Sequence, residues 1–158
     1  MDALILKTSG KNGKGVFTNR DLKKGDKIID FKGKYFTFKQ LPSPYDKVED
    51  HYVQIGKNLL LGPSNSLDDY INHSCSPNSG LIIKNKKARL ISIKNIKKGK
   101  EITWDYSTSM NEDDFTMKCN CKSKNCRKII KDFKYLPKKV KEKYIELGII
   151  PKYNIKYL

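Results

Sequence analysis

Asn72-His73-Ser74-Cys75-Ser76-Pro77-Asn78, read with Cys119-Asn120-Cys121 and Cys126, is the part of this chain that decides its fold. The heptad sets two Asn, a His, two Ser and a Cys around a proline. Such groups are costly to bury unless they bond one another. The plainer alternative is a surface turn, which the Ser-Pro-Asn half suits. A catalytic Cys75–His73 pair is a third option, for which the sequence nominates no orienting partner. The spacing C-x-C-x4-C plus Cys75 uses all 4 cysteines of the chain. Three thiolates in one short loop with one distant thiolate form a tetrahedral zinc set. Lys118, Lys122, Lys124 and Arg127 stand beside those ligands, where they offset the negative charge of a four-thiolate centre. Two disulfides would need strained pairings between near neighbours.

The 158 residues fit one domain of ordinary size, and 37% hydrophobic residues can fill a core, which excludes full disorder. No apolar run reaches membrane-spanning length, and Ala3-Leu4-Ile5-Leu6 is too short for a signal-peptide core. An intracellular, reducing compartment is therefore the expectation, with cytoplasm and nucleus not distinguished. The 33 Lys+Arg against 17 Asp+Glu give +16. That charge points to a polyanion, yet Arg occurs only at Arg20, Arg89 and Arg127. Because Arg is the better residue for planar phosphate and base recognition, the charge reads mainly as a solvated Lys surface, with weak nucleic-acid or polyanion contact as a secondary expectation.

Around the heptad, short β-rich runs alternate with turn signals. The expected strands are Leu4–Lys7, Gly15–Thr18, Lys27–Phe31, Tyr35–Phe38, Tyr52–Ile55, Leu59–Leu61, Leu81–Ile83, Arg89–Ile93 and Glu101–Trp104. The stretch from Asp21 to Ile28 echoes that from Asn95 to Ile102, each with a Gly after a Lys pair. It reads as two similar turns, eight residues being too few for a repeat. Leu136, Val140, Tyr144 and Leu147 fall at helical spacing, and Pro137 and Gly148 suit a start and a stop. The segment Pro137–Leu147 is thus expected as one amphipathic helix packed on the body rather than on a membrane. Gly10-Lys11-Asn12-Gly13-Lys14-Gly15 is not a phosphate loop, since Val16 and Phe17 stand where Lys and Ser or Thr are needed. Its glycines alone mark a turn that allows close backbone approach.

Taken together, Gly13-x-Gly15, the heptad, Trp104-Asp105-Tyr106 and the C-x-C-x4-C tail resemble, in this order, the SET-domain protein-lysine methyltransferases with a post-SET zinc loop. The resemblance covers roughly Ala3 to Arg127, and the tail helix is similar to extensions of small bacterial members. It implies a mainly β fold (a β-clip of several small sheets with a knot-like segment) plus a C-terminal helix. The implied division is 1–111 SET domain, 112–130 post-SET zinc-binding segment and 131–158 helical extension.

The resemblance further implies S-adenosylmethionine as methyl donor, a lysine of a protein substrate (histone or histone-like) as acceptor, and one structural zinc on Cys75, Cys119, Cys121 and Cys126. Cofactor positions carried over are Gly13, Lys14, Gly15, Asn72, His73 and Tyr106. Tyr106 matches the catalytic tyrosine and Tyr52 a tyrosine lining the lysine channel. Trp104 matches the position that helps set the number of methyls, where the family usually has Phe or Tyr. A +16 enzyme repels a basic peptide unless its channel face is acidic, and Asp50, Asp68, Asp69, Glu112, Asp113 and Asp114 are the candidates, against the reading that they are solvated loop carboxylates. The competing function is a non-catalytic, basic, zinc-stabilised nucleic-acid-binding protein, which explains the charge and the cysteines but not the heptad or Tyr106. Oligomeric state is not readable.

Overall fold

In the structure, a computed structural model that describes residues 3–11, 13–41, 51–113 and 116–158, the chain forms small sheets and one α-helix. The strands are β1 (Leu4–Thr8), β2 (Lys14–Thr18), β3 (Lys27–Asp30), β4 (Tyr35–Phe36), β5 (Val53–Gly56), β6 (Leu59–Leu61), β7 (Asn72–His73), β8 (Ser79–Lys84), β9 (Lys87–Ser92), β10 (Thr103–Trp104), β11 (Met117–Lys118) and β12 (Ile129–Ile130). They pair as β1-β2, β3-β9-β8, β4-β6-β5, β10-β7 and β11-β12, and only β10-β7 is parallel. The mainly β expectation holds. Each expected strand is present, Leu59–Leu61 with the expected ends and the others with shifted ends. The run expected to reach Phe38 stops at Phe36, because Thr37 and Gln40 form a capping box that starts a 3-10 turn at Phe38. The run expected at Glu101–Trp104 keeps only Thr103–Trp104 as strand, Glu101 making a single bridge to Phe17.

The echo between residues 21–28 and 95–102 is more than two similar turns. The copies face each other through reciprocal bonds between Leu22 and Ile96, both 2.8 Å. Gly25 N–H donates to Ser92 O as Gly99 N–H donates to Thr18 O, at the same offset in sequence. Both glycines have positive φ (93° and 80°), which lets each chain turn back into its sheet. Eight residues hide this pseudo-symmetry because it lies in backbone bonds rather than in side chains.

Three apolar clusters organise the molecule. The largest runs from Leu4 to Trp104, with Val16, Leu90 and Ile102 at 0% exposure. A second gathers Cys75, Met110, Cys119, Cys121 and Ile130. The third joins Ile93, Phe133, Leu136, Tyr144 and Ile149. The expected tail helix is α1 (Lys138–Glu146), preceded by Pro137 and followed by Leu147 and Gly148. It packs by Val140, Tyr144 and Leu147 on the third cluster, as its apolar stripe required. Among the described residues, no helix is long and apolar enough to cross a membrane.

Candidate active site

The heptad is not a surface turn: all of it is buried except Ser76, which is exposed, and Asn78, which is half-buried. Its polar groups are satisfied by the strand it crosses. Ser74 N–H donates to Trp104 O (3.0 Å), Asn78 N–H to Thr103 O (3.2 Å) and Asn78 Nδ2 to Glu101 O (2.7 Å). Thr103 N–H returns a bond to Asn78 Oδ1 (2.9 Å). These bonds lock β7 beside β10, and that seam brings Asn72, His73, Trp104 and Tyr106 together.

Asn72 Nδ2 donates to Lys14 O and to Glu101 Oε1, both at 2.8 Å. Glu101 also takes bonds from Ser9 Oγ (2.8 Å) and from the Lys11 ammonium. Burial alone would raise the Glu101 carboxyl, but the bonds from Lys11, Asn72 and Ser9 outweigh it and hold the group below its ordinary range. A Cβ on Gly15 would fall 2.5 Å from Glu101 Oε1 and 3.0 Å from Asn72 Nδ2, so only glycine leaves room for this cluster. Gly13 takes φ +56° at the entry to β2 and accepts a bond from Ser9 N–H (2.7 Å). A groove of about 610 Å³ opens alongside, with Lys11, Ser74, Glu101, Cys121 and Ser123 in its lining.

His73 is buried, and desolvation pushes it down to about 4 although the nearby Asp105 opposes this and Arg127 adds to it. A neutral imidazole has one donor and one acceptor. Tyr106 N–H donates to Nδ1 (3.2 Å), so Nε2 carries the proton and faces Cys75 Sγ at 3.3 Å. Tyr106 is partly buried, with its ring 5.3 Å from His73 and 5.0 Å from Trp104. Its hydroxyl donates to Ile71 O at 2.8 Å. Burial, with the Glu101 charge adding to it, raises this phenol well above its usual range, so it stays protonated. Trp104 is 4% exposed and edge-on to Phe31 at 5.9 Å. Tyr52 lies just before β5, on a different sheet, with its ring edge-on to Phe36 at 5.3 Å.

The four cysteines, split between the heptad and the tail, converge. Their sulfurs all lie within 4.8 Å of one another, and all four are free thiols. Cys75 and Cys119 sulfurs are 3.8 Å apart; zinc–sulfur bonds of about 2.3 Å in a tetrahedron give sulfur–sulfur edges of about 3.8 Å. The donor set therefore fits one zinc with no open position. Burial pushes the Cys75 thiol up to about 11, and burial likewise raises Cys119. Burial would raise Cys121 as well, but the Ser123 hydroxyl and backbone N–H groups lower it on balance. A divalent cation is what deprotonates such a mixed set as a unit.

Sequence reasoning missed Ser9, Lys11 and Glu101 as the frame of Asn72, and took Asp105 only as part of a motif without a role. Asp105 is 1% exposed and takes bonds from Arg127 Nη1 (2.9 Å) and Nη2 (2.7 Å), Ser107 N–H (3.1 Å) and the Tyr144 hydroxyl (2.8 Å). The rarity of Arg was a signal for Arg127: besides this pair, its N–H donates to Cys75 Sγ (3.3 Å). Of the lysines expected to offset the thiolates, Lys118, Lys122 and Lys124 are exposed. Among the described residues, the acidic candidates do not form a free face. Asp68 is 4% exposed and accepts from Lys32 N–H and Ser64 Oγ, and Asp69 accepts from Ser64 and Asn65 N–H groups. Asp113 is exposed and pairs with Lys134 at 2.5 Å, and Glu112 is half-buried. Asp50 and Asp114 lie outside the described residues.

With that geometry in place, the chain belongs to the SET-domain family, whose model matches residues 13–107. It is similar to the variant-silencing SET domain-containing protein of Plasmodium falciparum (30% identical over 139 residues) and to human histone-lysine N-methyltransferase 2D (30% over 141 residues). These alignments cover 78% and 79% of this chain but only 5% and 2% of those proteins, so the chain spans a small part of their length. Among solved structures, KRYPTONITE in complex with mCHH DNA, an H3(1-15) peptide and SAH has the same fold, at TM-score 0.64 and 21% identity over 81% of this chain and 29% of that one.

Proposed function

We propose that this chain is an S-adenosylmethionine-dependent protein-lysine N-methyltransferase, acting on a lysine of a histone or histone-like protein. The observation that carries the reading is the seam of β7 and β10, which sets Tyr106 one residue past a buried carboxylate and against His73 and Trp104. The family assignment and the histone-lysine methyltransferases among the relatives support it.

The cofactor brings the reactive methyl on a sulfonium. Asn72 spends both amide hydrogens on Lys14 O and Glu101, and so presents Oδ1 as an acceptor held in place. A lysine of reference pKa about 10.4 must lose a proton before it attacks, at a cost of roughly 4–5 kcal/mol at pH 7. Tyr106 does not take that proton, since its own phenol is raised and its hydrogen is committed to Ile71 O. Its oxygen orients the amine, and alignment supplies the rate. Tyr52 is assigned the channel wall. We assign zinc to Cys75, Cys119, Cys121 and Cys126 as a structural ion, and we keep 1–111, 112–130 and 131–158 as the proposed division into SET domain, post-SET segment and extension.

The test is transfer of labelled methyl from S-adenosylmethionine to a panel of proteins, with the modified residue identified by mass spectrometry. Tyr106→Phe is expected to fold and to lose roughly tenfold or more of the rate; a variant within about twofold of the parent removes Tyr106 from this role. Because Trp104 is bulkier than Phe or Tyr and leans on Tyr106, the products are expected to stop at one or two methyls. Predominant trimethyllysine would refute the steric account. Salt-dependent DNA binding without cofactor binding would instead establish the non-catalytic reading.

A further inference from the structure

Four polar side chains of the C-terminal extension converge on one short stretch. The Tyr144 hydroxyl donates to Asp105 Oδ2 (2.8 Å). The Tyr153 hydroxyl donates to Ser109 O (2.7 Å), with Gln54 O also in reach at 3.0 Å. Asn154 Nδ2 donates to Thr108 O (3.0 Å), and the Tyr157 hydroxyl to Asn111 Oδ1 (2.9 Å). All four land on residues 105–111, which follow or flank Tyr106, and Gln54 lies on β5 two residues past Tyr52.

We propose that the extension is a clamp on this segment, and that Tyr144 is a positioning residue for Tyr106, acting through Asp105. The proposal rests on the reading of Tyr106 as the aligning tyrosine. A carboxylate has about four acceptor sites. Two Arg127 nitrogens, the Ser107 N–H and the Tyr144 hydroxyl occupy all of them. The Ser107 bond builds the turn that contains Tyr106, and Asp105 is the residue before it. Arg127 anchors the same carboxylate from the thiolate loop, and Tyr144 from α1. The carboxylate is thus gripped from both covers. Loss of one grip lets Asp105 re-aim and moves the Tyr106 backbone relative to His73. Small misplacements of an aligning group cost rate more than binding.

Trp104 is the only tryptophan of the chain and lies 5.0 Å from the Tyr106 ring, so its fluorescence reports the segment independently of any activity. The experiment compares the full-length parent, Tyr144→Phe and Ile149→Val. Ile149 is 1% exposed in the same cluster as Tyr144 but makes no polar contact with residues 105–111 through its side chain. Tyr144→Phe is expected to lower kcat roughly tenfold with KM for peptide and cofactor affinity unchanged, and to raise acrylamide quenching of Trp104. Ile149→Val is expected to lower Tm with kcat and quenching like the parent. A Tyr144→Phe kcat within about twofold of the parent, or an equal loss in Ile149→Val, overturns the clamp. If Tyr144→Phe does not fold, Tyr153→Phe takes its place with the same criteria. If the parent transfers no methyl, the proposed function fails, and unchanged quenching in the hydroxyl variants then overturns the clamp separately.

Discussion

Two covers close over residues 105–111 by unlike means. The thiolate loop, between β11 and β12, has a cluster in which three of the five buried members are cysteines, and its strands are two residues long. The extension buries Phe133 at 0%, Tyr144 at 1% and Ile149 at 1% and adds hydroxyl bonds. A loop with so little apolar area cannot offset its ordering entropy by burial. On the proposed zinc assignment, it depends on the cross-link that its three thiolates and Cys75 would supply through the metal. The extension needs none, because a helix stripe packed on the body is enough. The difference teaches that neighbouring segments covering one site can fail independently.

The strongest way to break the comparison is to remove the metal. Zinc on a structural site contributes on the order of 10 kcal/mol. Chelation, or Cys119→Ser, is expected to abolish exchange protection across residues 117–130 and to remove activity, while amides of α1 keep their protection. Equal loss in α1 would show that the covers are one unit.

The converse perturbation is Gly80→Ala. An added Cβ would sit 2.9 Å from Ile149 Cβ and Cδ1, and closer still to Cγ2. Overpacking of this kind costs about 1–3 kcal/mol. Exchange is expected to rise around residues 133–149 with zinc content unchanged, and Tm to fall by roughly 2–4 °C per kcal/mol.

The smallest effect belongs to a group outside both covers. Glu101 is lower in the folded chain than its ordinary 4.5, so its contribution is present above that value and is lost as pH falls below it. Denaturation midpoints followed downward from pH 6 are expected to fall less steeply in Glu101→Gln than in the parent. A parallel decline in both would mean that the bonds from Lys11, Ser9 and Asn72 do not favour the ionised form.

How much of this was legible follows from the range of each interaction. The thiolate set could be read because cysteine in this pattern has few other uses, and the tail helix because its stripe repeats within one segment. Burial of the heptad could not be read, since these partners, Glu101 and Thr103, sit 23 to 29 residues away and its own strand is two residues long, too short for any periodicity. Asp68 and Asp69 looked like a free acidic face because their acceptors close a local loop that carries no pattern of its own.

By itself, then, the sequence determined the class of fold, the four cysteines that converge as one metal-binding set, and the tail helix, each through residue types whose chemistry is narrow or whose spacing is local. The tertiary structure alone decided that Glu101 frames Asn72, that the two Lys-Gly turns are paired copies, and that Asp105 ties Arg127 of the thiolate loop to Tyr144 of α1. The physical reason is that a carboxylate is commonplace in sequence, and only a dry interior with donors arriving from two distant segments turns one into a junction.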